Sequence, residues 1–178
     1  MRRRTLSCGA EPQNAMARVI RHVVPVSQPR GSNLCWAAVV AMITGRSGSG
    51  ILDTIVGEAR ARSVPLDSAS RLDELSGVPA LARAFSLSHT GCANQVLAGT
   101  EISSRLTRAP LGLFGTLVTP PSGGTPRHAV AVHGLTGDFD ASSTCQLLGV
   151  DPRGFSAINM TFFQFQSQFR IEWIVWKP

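Results

Sequence analysis

The chain has 178 residues of which 43% are apolar, enough for one domain with a proper hydrophobic core. Its net charge of +6 comes from 17 lysines and arginines against 11 acids, but after the first four residues the cations are scattered singly. A nucleic-acid binder clusters them or interleaves them with aromatics, so no nucleic-acid partner is expected. No stretch approaches the ~18 uninterrupted apolar residues of a membrane-spanning helix, which points to a soluble protein with no membrane partner.

Residues 1–18 read as a polar arm. Arg2, Arg3 and Arg4 resemble the basic opening of a signal peptide, yet Glu11, Gln13, Asn14 and Arg18 stand where its apolar segment belongs, so Sec export is not expected. Val19 to Val26 is extended and apolar, and Pro25 marks it as an edge or irregular strand. A turn-rich loop from Gln28 to Asn33 follows. Ser32 or Asn33 is placed to N-cap a helix over Leu34–Thr44, which Gly45 stops. That helix is apolar on all sides and must be buried. Ile51, Leu52, Ile55, Val56 and Ala59 have helical spacing, Leu72 and Leu75 mark a short helix, and Pro79 opens another with Leu81, Ala82 and Phe85. Glu101–Arg108 completes the helices, with Thr100 as its cap.

From Pro110 the pattern changes to strands: Leu113–Val118, Arg127–Gly134, Gln146–Asp151 and Ile171–Trp176. Thr161 and Gln164 have capping-box spacing, which predicts a short helix before the last strand. Gly and Pro punctuate loops at 120–126 and 152–154. The reading is an α+β fold, a single domain over 19–178 with a helical lobe at about 19–109 and a sheet lobe at about 110–178. Trp36, Phe162, Phe163, Phe165, Trp173 and Trp176 are read as packing residues.

Four cysteines, Cys8, Cys35, Cys92 and Cys145, are too dispersed for a zinc site or a disulfide framework; no metal and no cofactor is expected. Cys35 differs from the others in standing in the first turn of a buried helix, where unpaired N–H groups and the helix dipole favour a thiolate. Taken alone, a buried cysteine is more often a small hydrophobe. Of the four histidines, His22 and His89 have ordinary surroundings, whereas His128 and His133 bracket one strand and face opposite sides of it. A hairpin that sets Gly134 across from Cys145 places His128 opposite Asp151 and His133 opposite Gln146. Asp151 and His128 are then an acid and base pair, against the plainer readings of a turn former before Pro152 and an exposed histidine at a strand end. The Cys35 N–H and the Gln28 amide, seven residues upstream, are candidate oxyanion donors.

Gln28, the run Asn33-Leu34-Cys35-Trp36-Ala37-Ala38, His128-Ala129-Val130 and Val150-Asp151-Pro152 resemble, in order, the motifs of papain-like cysteine peptidases. The resemblance is greatest to the compact bacterial branch that includes secreted effector proteases. It implies a nucleophile (Cys35), a general base (His128), an orienting acid (Asp151) and an oxyanion hole of Gln28 with the Cys35 N–H. It also implies a protein substrate, synthesis in a bacterial cytoplasm with export by a specialised secretion system into a target cell, and, for a toxin, a cognate immunity or inhibitor protein. The chain departs from the plant enzymes in its longer Gln-to-Cys spacing, in lacking their Cys-Gly-Ser-Cys motif, and in having aspartate where they have asparagine. Peptide-bond hydrolysis is the first reading. A deamidase or transglutaminase-like acyltransferase would use the same triad, and a non-catalytic binding module would retain the fold alone.

Overall fold

A computed structural model describes residues 17–72, 75–92, 97–119, 127–154 and 156–178. Cys8, the polar arm up to residue 16 and the loop at 120–126 lie outside the described residues. The described residues form an α+β fold. In chain order the elements are β1 (Ala17–Ile20), α1 (Cys35–Thr44), α2 (Ile51–Ala61), a 3₁₀ turn (Leu75–Gly77), α3 (Val78–Ala84), β2 (Ser88–Gly91), α4 (Gly99–Leu106), β3 (Leu111–Leu117), β4 (Arg127–Gly137), β5 (Gln146–Asp151), β6 (Ser156–Thr161), α5 (Phe162–Gln168) and β7 (Phe169–Trp176).

The strands make one sheet in the order β2-β7-β3-β4-β5-β6, with β1 pairing the far end of β4. Every pairing is antiparallel. Helices thus do not occupy the first half alone: β1 and β2 come from it and complete the sheet. Their side chains carry little strand signal, because β2 is the short Ser-His-Thr-Gly segment and the expected strand around Pro25 ends at Ile20. The edge strand β6 was also unforeseen, since only Ile158 on it is buried.

Two separate cores sit on the two faces of this sheet. On one, α1, α2 and α3 pack over Phe114, Ala129, Ala131, Val150 and Val175. On the other, Ile102 and Leu106 of α4 and Phe162 and Phe165 of α5 meet Leu113, Val130, Val132, Leu147 and Ile174. The alternation of Ala129 and Ala131 with Val130 and Val132 along β4 follows from the two-residue period of a strand. Small residues face α1 for a reason. A Cβ at Gly112 would lie 2.7 Å from Val39 Cγ1, so α1 rests almost directly on the sheet backbone.

Trp36 to Ile43 of α1 are all buried, as its uniformly apolar sequence requires. Gly45 ends it in the left-handed region at φ 72°, its N–H turned back on Ala41 and Met42. The start differs from expectation. Leu34 occupies the N-cap with no side-chain cap bond, because the Ser32 N–H closes a turn onto Pro29 O at 3.0 Å and the chain enters the helix from that turn. Thr100 likewise does not cap α4, whose N-cap is Ala98. Thr161 and Gln164 do form the reciprocal capping box that starts α5. On α5, Phe162 and Phe165 are buried, but Phe163 is 61% exposed and is not a core residue.

The β4–β5 register is not the one expected. Gly134 pairs with Leu148 rather than Cys145, and Gln146 with Thr136 rather than His133. The strand β4 runs on to Gly137, supported by β1, and tight turns from Asp138 to Cys145 close the hairpin there. His133 stands at an irregularity between Val132 and Gly134.

Candidate active site

Cys35 is the first residue of α1 and is half-buried. Together with Asn33, Trp36, Asp67, Arg71, Leu72, Leu75, Phe114, Arg127, His128 and Ala129 it lines a cleft of about 380 Å³. One wall is the loop from Leu66 to Leu72, which a short bridge between those two residues closes. Asp67 braces it by accepting from the Arg71 backbone N–H at 2.8 Å and from the Arg71 guanidinium. Trp36 fastens the loop to α1 by donating its indole N–H to Ser70 O at 2.9 Å, and is itself 2% exposed. Its expected role as packing for helix and cleft wall matches this placement.

The opposite wall carries His128, 3% exposed at the start of β4. Its Nε2 lies 2.8 Å from Asp151 Oδ1. An ionised carboxylate only accepts, so Nε2 carries the hydrogen and Nδ1 holds the free lone pair. Residue Ala131 pairs with Val150, so by continuation Asp151 stands level with Val130, and His128 meets it diagonally from two residues along. An even displacement keeps both side chains on one face of the sheet. That is why the pair forms despite the altered register. Phe169 closes over the imidazole in an edge-on contact with centroids 6.4 Å apart.

Three donors converge on Asp151: His128 Nε2–H, the Arg153 backbone N–H on Oδ1 at 2.8 Å, and Arg153 Nη2 on Oδ2 at 3.2 Å. Burial pushes this carboxyl up, but the hydrogen bonds from His128 and from the Arg153 backbone and guanidinium, with the charge His128 carries when protonated, outweigh it and leave Asp151 below the ordinary aspartate value. Cys35 shows the opposite balance. Burial pushes its thiol up to about 11, although the N–H groups of Ala129 and Trp36 draw it down. The Trp36 N–H at the helix start thus favours the thiolate, but desolvation outweighs it.

Gln28 lies beside this site. Its backbone N–H donates to Pro152 O at 3.0 Å, tying its loop to the turn after Asp151. Its side-chain amide donates to Ser32 O at 2.8 Å, and the residue lines a neighbouring groove formed with Pro25, Leu34 and Ile51 rather than the cleft of Cys35. The other histidines stand apart from the cleft: His22 is exposed, His89 meets Trp173 in a tilted ring contact with centroids 5.7 Å apart, and His133 accepts the Arg21 N–H on its carbonyl. Cys92 and Cys145 are buried free thiols on the other face of the sheet.

Arg153, Phe169 and the Asp67–Arg71 brace were not singled out in the sequence. For Arg153 a signal existed. Asp-Pro-Arg-Gly is a turn in which an aspartate accepts from the N–H two residues on, so Asp151 is a turn former and the histidine's partner at once. Among the described residues no cluster of His, Cys, Asp and Glu is placed to hold a metal ion, and no helix is long and apolar enough to cross a membrane. No protein-family model matches the chain, and no curated protein matches it significantly.

Proposed function

We propose that the chain is a thiol hydrolase of papain-like arrangement, a cysteine peptidase acting on a protein substrate. One observation carries this reading: His128 and Cys35 line the same cleft, and His128 commits Nε2 to Asp151 at 2.8 Å, which leaves Nδ1 as the ring nitrogen available to act as a base. A buried histidine serving only the core has no need of an ionised partner and an open cleft.

In the reaction, Cys35 Sγ attacks the scissile carbonyl while its proton passes to His128 Nδ1. Proton transfer to the imidazole makes the sulfur nucleophilic as it attacks. The Asp151 carboxylate stabilises the imidazolium, and the Cys35 N–H, free of a helical partner in the first turn, receives the oxyanion. Gln28 would add a second donor after its amide turns from Ser32. The imidazolium then protonates the departing amine, and water, deprotonated by His128, hydrolyses the thioester. The apolar cleft wall of Leu72, Leu75, Phe114 and Trp36 suits a side chain flanking the cut bond. Export to a target cell and a protecting inhibitor belong to the same reading.

The test is proteomic comparison of cells expressing the wild type and Cys35→Ala. New protein N-termini that depend on Cys35 support the peptidase. Glutamine-to-glutamate conversion or amide cross-links without new termini would replace it by the deamidase or acyltransferase. Neither change, with Cys35 in the folded protein inert to iodoacetamide, would leave a binding module.

A further inference from the structure

Asp151 is unusual in how completely its carboxylate is shared. Oδ1 takes His128 and the Arg153 N–H, and Oδ2 takes the Arg153 guanidinium, all within 3.2 Å. Arg153 is only two residues along the chain, in a turn that ends at Gly154 with φ 93°, so its backbone and side chain reach the same carboxylate together. Between them, Pro152 accepts the Gln28 N–H. The Asp151–Gly154 turn is thus one clip that orients the acid, through its two oxygens, and holds the loop of Gln28.

Resting on the reading above, we propose that Arg153 is a positioning residue of the catalytic centre, which acts through Asp151 by fixing the carboxylate plane and offsetting its charge. The geometry separates these tasks. The N–H of residue 153 and His128 share Oδ1, so without the guanidinium Oδ2 loses its one described side-chain donor and the carboxylate plane is held through Oδ1 alone, about a broad, soft χ2 torsion. A carboxylate held at one oxygen aligns less well with Nε2–H and fixes the orientation and tautomer of the imidazole less firmly. The charge matters separately. A cation against Oδ2 stabilises the ionised acid down to lower pH and offsets the negative charge that opposes a thiolate at Cys35. The Arg153 side chain is 33% exposed, so solvent screens part of this effect.

The test uses acylation of Cys35 by p-nitrophenyl acetate, followed as the total p-nitrophenol burst at its isosbestic wavelength from about pH 3 to about pH 8 and assigned to Cys35 by peptide mass spectrometry. Tryptophan fluorescence monitors folding throughout. Arg153→Ala should slow acylation about tenfold and move its acid limb up by roughly half to one pH unit. Arg153→Lys, which restores the charge but not the planar fork, should recover the limb position and only part of the rate. In an Asp151→Asn background, Arg153→Ala should lose most of both effects, because the group through which it chiefly acts is gone and only the direct field of the guanidinium at Cys35 remains. An unchanged limb in folded Arg153→Ala, or an equal shift when Asp151→Asn is already present, overturns the proposal while leaving Cys35 as nucleophile. If wild-type acylation does not fall on His128→Ala, the thiol hydrolase reading fails and this inference with it.

Discussion

The two halves of the cleft handle burial in opposite ways. Around Asp151 three donors hold the carboxylate ionised against desolvation, whereas around Cys35 two N–H groups do not, and the thiol is pushed up to about 11. The difference teaches that burial does not by itself decide charge. What decides it is how many donors accompany the group, and whether a full countercharge is among them. It also divides the chemistry: the surroundings of one half favour its charged form, and those of the other favour the neutral one.

The largest expected effect breaks the charged half. Asp151→Asn retains an acceptor for Nε2–H but removes the charge that stabilises the imidazolium, and should lower the rate of Cys35 acylation ~10²-fold with little loss of melting temperature. A full rate in this variant would make the acid irrelevant. Next, Gly115 pairs with His128 across β3 and β4. A Cβ there would lie 1.9 Å from Arg170 O, so Gly115→Ala must open the β3–β7 ladder and should destabilise by about 1–3 kcal/mol in urea unfolding, with lower Cys35 reactivity as its neighbour His128 moves.

Alkaline pH tests the neutral half. A folded thiol held at about 11 against an ordinary value of 9.0 contributes stability that is complete below 9 and lost as pH rises toward 11. Unfolding midpoints of wild type should therefore fall over that window more steeply than those of Cys35→Ala, and parallel curves would show that Cys35 is not desolvated. Asp151 has the opposite sign. Its stabilisation is present above the ordinary aspartate range and lost on acidification through a lower value, so Asp151→Asn should flatten the acid limb of stability. The smallest effect lies outside the comparison and calibrates it: Thr161→Ala removes the α5 cap and should cost about 1 kcal/mol without altering Cys35 reactivity.

Much of this was legible in the chain, and for local reasons. The run Cys35 to Thr44 with Gly45 behind it specifies a buried helix and its end through composition and one left-handed residue, and Thr161 with Gln164 specifies the start of α5 through two side chains reaching backbone donors within one turn. The bounds of β5 at Gln146 and Asp151 are equally local, a run of apolar residues ended by Pro152. Each depends on residues a few positions apart, so its physics is written in the order of the sequence.

Other features depended on partners far along the chain. The β4–β5 register moved because β1, more than a hundred residues earlier, pairs with Gly134–Gly137 and lets β4 run on. His128 still met Asp151 because the displacement at that end was even and preserved the face. The helix dipole at Cys35 was readable, but the burial that outweighs it comes from the sheet packed against α1. The sequence by itself determined which residues are candidates for the chemistry and which elements present them. Only the tertiary structure decided that the surroundings favour the charged acid and the neutral thiol, and that Arg153 joins His128 on the acid, because desolvation and convergent hydrogen bonds are properties of three-dimensional neighbours.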